Sequence, residues 1–279
     1  MKFLNFEVNS QLKNIVDYIV LVEEYDSTNT FKTLPVPRLA FAFNYLEDAI
    51  EKSKTNFDKT PVNAIVGFAK KGIVYKPEGK TWVILVGFKP YAKSVLKELN
   101  GNFNMIDNCC MEDVYPRVKS LEEQLRNTPD DIKKLTLVEN FLLTLIDNNE
   151  PNMYVKKALS KIILTNGTTP INDLSQSIGY SQKQLERLFK THVGISPEQF
   201  SKITQFQNSI RLIKSKKLPS ADVALTAGYF DQAHFNHTFK AFSGMSVKAY
   251  SSTIPSTLNK KMSTVLGKCF TNCSTYFQN

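Results

Sequence analysis

Four short runs in the first third of the chain are rich in β-branched and aromatic residues: Tyr18 to Val22, Leu39 to Tyr45, Ala64 to Phe68 and Trp82 to Phe88. Proline, glycine, asparagine and lysine separate them, so they read as the strands of a small barrel or sandwich. The period then changes. Residues 91–99 and 118–126 carry helical patterns, and Asp130 to Asp147 carries a stronger one, with Leu135, Val138, Leu142 and Leu145 recurring at three- and four-residue steps along one helix face. Asn148-Asn149-Glu150-Pro151-Asn152 is polar and holds a proline, which sets the expected boundary. From Met153 the chain reads as helical with short loops. The expected fold is α+β: a β-rich domain over 1–148 that ends in helices, an all-α domain over 153–252, and a Ser/Thr/Asn-rich tail over 253–279.

The second half repeats itself. Phe189-Lys190, Gly194, Ser196 and Phe200 recur 50 residues later as Phe239-Lys240, Gly244, Ser246 and Tyr250, and upstream Gly179-Tyr180 recurs as Gly228-Tyr229, with one residue inserted before the second Phe-Lys. One supersecondary unit therefore occurs twice. In the first copy Ile171, Leu174 and Ile178 share a helical face, Gly179 supplies a turn, and Ser181 caps a second helix. In the second copy Val223, Ala224 and Ala227 form the inner face, Gly228 turns the chain, and Asp231 is the cap. This is the helix-turn-helix layout, twice. Between the copies, Ser196-Pro197-Glu198-Gln199 starts a helix with a capping box, and Phe200, Ile203, Phe206, Ile210 and Ile213 keep one apolar face until Leu218-Pro219. That helix of about 18 residues spans about 27 Å, which would hold two reading heads about one DNA turn apart.

The second helix of each unit divides into faces. Leu185, Leu188 and Phe189 point inward, leaving Lys183, Glu186, Arg187 and Lys190 outside; Phe235, Phe239 and Phe242 point inward, leaving Gln232, Ala233, Asn236, His237 and Lys240 outside. Lysine and arginine can address guanine, asparagine and glutamine can pair with adenine, and alanine can meet a thymine methyl. Charge changes the weight of this reading. Residues 1–150 hold 19 Lys+Arg against 21 Asp+Glu, a net of −2, while residues 151–279 hold 16 against 5, a net of +11. A clustered positive balance attracts polyanions, nucleic acid first.

Other chemistry finds little support. Cys109-Cys110 and Cys269/Cys273 lack the spacing of a zinc site and read as reduced thiols, and His234 and His237 form H-x-x-H with no third ligand nearby. Residues 1–150 contain no histidine, which removes a histidine-based triad or cupin-type metal set from that region, and no glycine loop for phosphate is present. No cofactor and no enzymatic activity are expected. No apolar run is long enough for a membrane span and Met1 to Ser10 lacks the form of a signal peptide, so the expected location is the cytoplasm.

Gly228-Tyr229-Phe230-Asp231-Gln232-Ala233-His234-Phe235, followed by Phe239-Lys240 and Gly244-Met245-Ser246, resembles the signature of the AraC/XylS family of bacterial transcription regulators, and the resemblance extends over about 100 residues. It implies base reading by Lys183, Glu186 and Arg187 in the first head and by Gln232, Ala233, Asn236 and His237 in the second. Ser181, Lys190, His234 and Lys240 would sit nearer phosphates or hold the heads. The sequence departs from the family pattern at His237 and near Ser251, where arginine is usual, at Val247, where proline is usual, and at Gln205-Phe206, where an Arg-Leu pair is usual.

The segment Leu85 to Pro90 and the helices after it resemble the β-rich domain of unassigned ligand in one branch of that family. By that analogy residues 1–110 bind a small effector among Arg38, Phe41, Phe43, Tyr45, Trp82, Phe88 and Lys89, unless these aromatics only fill a core. The implied partners are double-stranded DNA, a small-molecule effector, RNA polymerase, and a second copy of the chain seamed through Leu135, Val138, Leu142 and Leu145, unless that stripe packs on the chain's own barrel. The contrasting reading is an adaptor or ligand-sensing protein that binds no DNA and docks a protein partner on its helical repeat.

Overall fold

A computed structural model describes residues 2–24, 31–46, 63–69, 71–75, 81–99, 109–147, 150–215 and 220–253. Its amino-terminal part is built on an antiparallel sheet of six strands: β1 (Lys2–Phe6), β2 (Val16–Glu24), β4 (Ala40–Leu46), β5 (Asn63–Val66), β7 (Thr81–Phe88) and β8 (Cys109–Cys110), in the spatial order β1-β2-β7-β4-β5-β8. β3 (Phe31–Thr33) and β6 (Ile73–Tyr75) form a separate two-stranded ribbon. The strand expectations hold to within one or two residues. Among the described residues β1 and β8 do not pair, so the six strands make an open sheet where a closed barrel or a sandwich was expected.

Nine α-helices follow among the described residues: α1 (Val118–Arg126), α2 (Asp131–Leu145), α3 (Met153–Leu164), α4 (Ile171–Ser177), α5 (Gln182–His192), α6 (Pro197–Ser215), α7 (Ser220–Thr226), α8 (Gln232–Ser243) and α9 (Val247–Thr253). The fold is α+β. None of these helices is long and apolar enough to cross a membrane. The helical pattern over 91–99 yields only a 3-10 turn at Ala92–Val95. Tertiary hydrogen bonds end it: Lys97 N–H donates to the Leu145 carbonyl at 2.8 Å, Asp147 N–H donates to the Val95 carbonyl at 2.8 Å, and Leu96 pairs with Ile146.

Alternation along the strands sorts the residues between the two sheet faces. Ile19, Leu21, Phe41, Phe43, Ile84, Val86 and Phe88 turn to the helices, while Tyr18, Val20 and Val22 gather with Phe3, Val83 and Leu85 on the other face. Between Val16 and Tyr18 the register against β7 shifts, as at a bulge, and beside it the Asp17 carboxylate accepts from Arg38 Nη1 at 2.9 Å. Arg38 is 3% exposed, and its guanidinium lies 5.6 Å from the centre of the Tyr18 ring. A buried charge is tolerated when it is paired and hydrogen-bonded in this way.

The stripe on α2 does not form a seam with a second copy. Leu135, Val138, Leu142 and Leu145 are all fully buried in the chain's own core, shared with the strand residues Ile19, Phe41 and Ile84. The correction has a simple cause: a three-and-four period requires only that one face be covered, and here the chain's own core covers it. Leu142→Ala is therefore expected to lower the unfolding free energy by about 2–5 kcal/mol, read as an earlier urea midpoint at unchanged slope. A midpoint equal to the parent's would show that the leucine is not in the core.

Candidate nucleic-acid interface

In the first head α4 ends at a turn closed by two backbone bonds, Gly179 N–H to the Gln176 carbonyl and Tyr180 N–H to the Ser175 carbonyl, each 3.0 Å. Ser181 then caps α5. Its hydroxyl oxygen accepts from Gln184 N–H at 3.3 Å, and Gln184 Oε1 accepts from Ser181 N–H at 2.9 Å, which closes a reciprocal box. The serine was legible as a cap; Gln184 was missed, although its three-residue spacing was the available signal. Leu185 and Phe189 are fully buried and Leu188 half-buried, while Lys183, Glu186, Arg187 and Lys190 are all exposed.

The second head repeats this construction. Gly228 N–H bonds the Leu225 carbonyl at 2.9 Å, Tyr229 N–H bonds the Ala224 carbonyl at 3.0 Å, and Asp231 Oδ1 accepts from His234 N–H at 2.7 Å to cap α8. Phe235 and Phe239 are buried, and Gln232, Ala233, His234, Asn236, His237 and Lys240 are exposed. The His234 ring stands edge-on to Tyr229, with centroids 5.5 Å apart, so it also braces the turn. Burial pushes the Tyr229 phenol up to about 12, and the ring stays neutral at physiological pH.

α6 carries both heads. It starts at the expected box, with Gln199 N–H donating to Ser196 Oγ and Ser196 N–H to Gln199 Oε1, both at 3.1 Å. Its 19 residues span about 28 Å. Phe200 and Ile203 belong to the core that holds Leu185, Phe189 and Val193, whereas Phe206, Ile210 and Ile213 belong to the core that holds Val223, Phe235 and Phe239. Gln205, at the position where arginine is usual, donates from Nε2 to the Ala227 carbonyl at 3.1 Å and the Gly228 carbonyl at 2.8 Å, so it ties the second turn to α6. Val247, where proline is usual, is buried at the start of α9. Ser251 Oγ donates to the Val247 carbonyl at 2.9 Å.

The sheet domain touches both heads. Lys93, buried in the 3-10 turn, donates to the Thr191 carbonyl at 3.2 Å, and the Phe68 and Phe200 rings meet edge-on at 6.2 Å. Burial and the neighbouring Lys93 charge lower the pKa of His192 in the last turn of α5, which keeps that imidazole neutral near pH 7. On the second head Gly72 N–H donates to the Phe242 carbonyl at 2.8 Å, and Gln207 on α6 donates to the Pro35 carbonyl.

Of the residues expected around an effector, the phenylalanines fill the core. Phe41, Phe43 and Phe88 are fully buried, with Phe41 edge-on to Phe88 at 4.7 Å and to Tyr115 at 5.9 Å, and Phe43 edge-on to Phe141 at 6.3 Å. Arg38 pairs with Asp17. Trp82 is half-buried beneath Lys134, whose Nζ lies 4.5 Å from the ring centre, and Tyr45 is its cross-strand partner. Lys89 is half-buried, and its pKa is lowered chiefly by that burial, against the opposing pull of Asp17. Burial, with Asp113 beside it, pushes the Cys109 thiol up to about 12, so little thiolate forms at neutral pH. Cys269 and Cys273 lie outside the described residues.

The sequence pattern of a helix-turn-helix domain family matches residues 174–253, which span the end of α4 to the end of α9. These residues are a helix-turn-helix domain. The chain is 28% identical over 137 residues to the probable transcriptional regulator LumQ of Photobacterium leiognathi, covering 47% of this chain and 51% of that protein. It is 24% identical over 163 residues to an uncharacterized HTH-type transcriptional regulator of Haemophilus influenzae, covering 53% and 55%. The chain thus spans about half the length of these two relatives. Among solved structures, the C-terminal domain of AraT from Geobacillus stearothermophilus covers 37% of this chain and 86% of its own at 24% identity and a TM-score of 0.35. ToxT from Vibrio cholerae covers 88% and 96% at 12% identity and a TM-score of 0.44.

The turn glycines of the helix-turn-helix domain separate backbone strain from clash. Both are left-handed, Gly179 at φ +75° and Gly228 at φ +78°, but a Cβ on Gly179 meets nothing within 4 Å whereas one on Gly228 lies 2.4 Å from Thr168 Cγ2. Gly179→Ala should cost about 1–2 kcal/mol of stability from the left-handed conformation alone, and Gly228→Ala clearly more. Thermal melting checks the order, and equal losses would mean that Thr168 yields freely.

Proposed function

We propose that this protein is a sequence-specific DNA-binding transcription regulator that reads the major groove with α5 and α8. The observation that carries the proposal is the division of those two helices: each turns its large apolar residues inward, with Leu185 and Phe189 on α5 and Phe235 and Phe239 on α8 fully buried, is capped at its start, and leaves basic and amide side chains exposed on the opposite face. That division falls in the half of the chain with the +11 balance. Lys183, Glu186 and Arg187 read bases from the first head, and Gln232, Ala233, Asn236 and His237 from the second. Lys190 and Lys240 neutralise phosphates, while Ser181 and His234 hold the heads, the roles favoured by the hydrogen bonds of Ser181 with Gln184 and the ring contact of His234 with Tyr229.

In this reading residues 1–148 are the regulatory domain and 153–252 the DNA-binding domain. The chain carries no catalytic function of its own. A small effector acts on the sheet domain, on surface outside the core that Phe41, Phe43 and Phe88 fill.

Selection from random duplexes with the full chain tests the proposal. Binding should fall steeply and linearly in log affinity against log salt as counterions are released. Arg187→Ala should lose about 1–3 kcal/mol and relax preference at one base pair, whereas Lys240→Ala should weaken all sequences alike and flatten the salt slope by about one. A chain that retains no duplex at low salt would favour the adaptor reading, with the helical repeat docking a protein.

A further inference from the structure

The two heads differ by one residue, and the caps identify it. Tyr180 alone stands between Gly179 and the cap Ser181, whereas Tyr229 and Phe230 stand between Gly228 and the cap Asp231. The turns close with the same backbone bonds, so the extra residue falls after them. Tyr229 goes inward, buried against Phe235 with ring centroids 5.0 Å apart. Phe230 is left outside. At 88% it is the most exposed large apolar side chain among the described residues.

Single apolar residues on a surface are ordinary, so exposure alone decides nothing. Position does. Met153, Leu164 and Leu225 lie on α3 and α7, whereas Phe230 lies in the connection that feeds α8, beside the exposed Gln232 and Ala233 of its first turn. Recognition helices meet the groove with their amino-terminal residues.

We propose that Phe230 is an apolar reading group of the second head, contacting a thymine methyl in the major groove; this deepens the DNA-binding reading and rests on it. A phenyl ring neither donates nor accepts a conventional hydrogen bond, and the one apolar group on the major-groove base edges is the thymine methyl. A phosphate is the poorer neighbour. The Asp231 carboxylate stands next in the chain and repels phosphate, although its Oδ1 is already engaged by the His234 N–H at 2.7 Å. The first head has no residue at this place, so the contact makes the two heads unequal and fixes which way the protein lies on its site.

The test uses the full chain on a duplex obtained by selection, with each thymine replaced in turn by deoxyuridine, which lacks only the methyl. At one thymine of the second head's box the parent should lose about fourfold in affinity, the worth of one buried methyl group. Phe230→Ala should lose at least as much on the unmodified duplex and be indifferent to that replacement. Its melting temperature and salt slope should match the parent's, because the side chain it removes is in water and touches no phosphate. A variant that binds as tightly as the parent, that responds to every deoxyuridine as the parent does, or that has a flatter salt slope overturns the proposal. If the parent itself retains no duplex, the DNA-binding reading falls and this inference with it; if the parent binds and the variant is its equal, this inference alone falls.

Discussion

The arrangement of the carboxy-terminal half depends on the buried stripe of α6 changing owner between Ile203 and Phe206. Up to Ile203 the helix packs into a core that runs without a break from the sheet through α1, α2 and α3 into the first head; from Phe206 it packs into a second core formed with the other head. One helix is therefore a wall of both. Protein interiors are close-packed and transmit displacement, so neither head can tilt without shifting the helix that the other is built on. Gln205 lies between the two groups and holds the second turn by its backbone, which anchors the head at the point where the cores part.

What was legible in the sequence was the chemistry that acts within four residues. Ser181, Ser196 and Asp231 declare helix starts because a short polar side chain can reach the amide three residues on, and all three do so. The repeat was legible for the same reason, since each turn must reuse a glycine and each helix an inward aromatic. The stripe on α2 shows where this stops. Leu135, Val138, Leu142 and Leu145 state that one face is covered, but the same period serves a sheet or a second copy, and only the path of the whole chain decides which. Phe41, Phe43 and Phe88 carry a like ambiguity between a pocket wall and a filled core, and their mutual ring contacts and those to Tyr115 and Phe141, far along the chain, favour the filled core. The pairing of Arg38 with Asp17 joins residues 21 apart in sequence, beside an irregularity that no periodicity announces.

The change of composition at 148–153 and the division of packing are different boundaries. The chain turns basic and helical after Pro151, yet Val155, Ala158, Leu159 and Ile162 of α3 sit in the same core as the sheet. The sheet domain also bonds backbone groups on both heads, through Lys93 to Thr191 and Gly72 to Phe242, and Gln207 of α6 reaches back to Pro35. Backbone bonds of this kind do not depend on side-chain identity at the accepting end. Substitution on the outer faces of the heads can therefore proceed without removing these bonds, because Thr191 and Phe242 contribute only carbonyls to them.

Those outer faces carry their own argument about selectivity. A helix that needed only to adhere to a polyanion would be served best by lysine and arginine throughout, since each added cation strengthens binding to every sequence equally. α5 instead places Glu186 next to Arg187 on its exposed face, and α8 spends most of its exposed first turns on Gln232, Ala233, Asn236 and His237 with Lys240 following later. Glutamate repels phosphate and can accept from cytosine, and asparagine and glutamine match adenine. Each such residue gives up general attraction for discrimination. In the proposed reading the phosphate-neutralising cations stand further along each helix, at the matching positions Lys190 and Lys240 of the repeat, while the earlier cations Lys183 and Arg187 of α5 belong with the base-reading set.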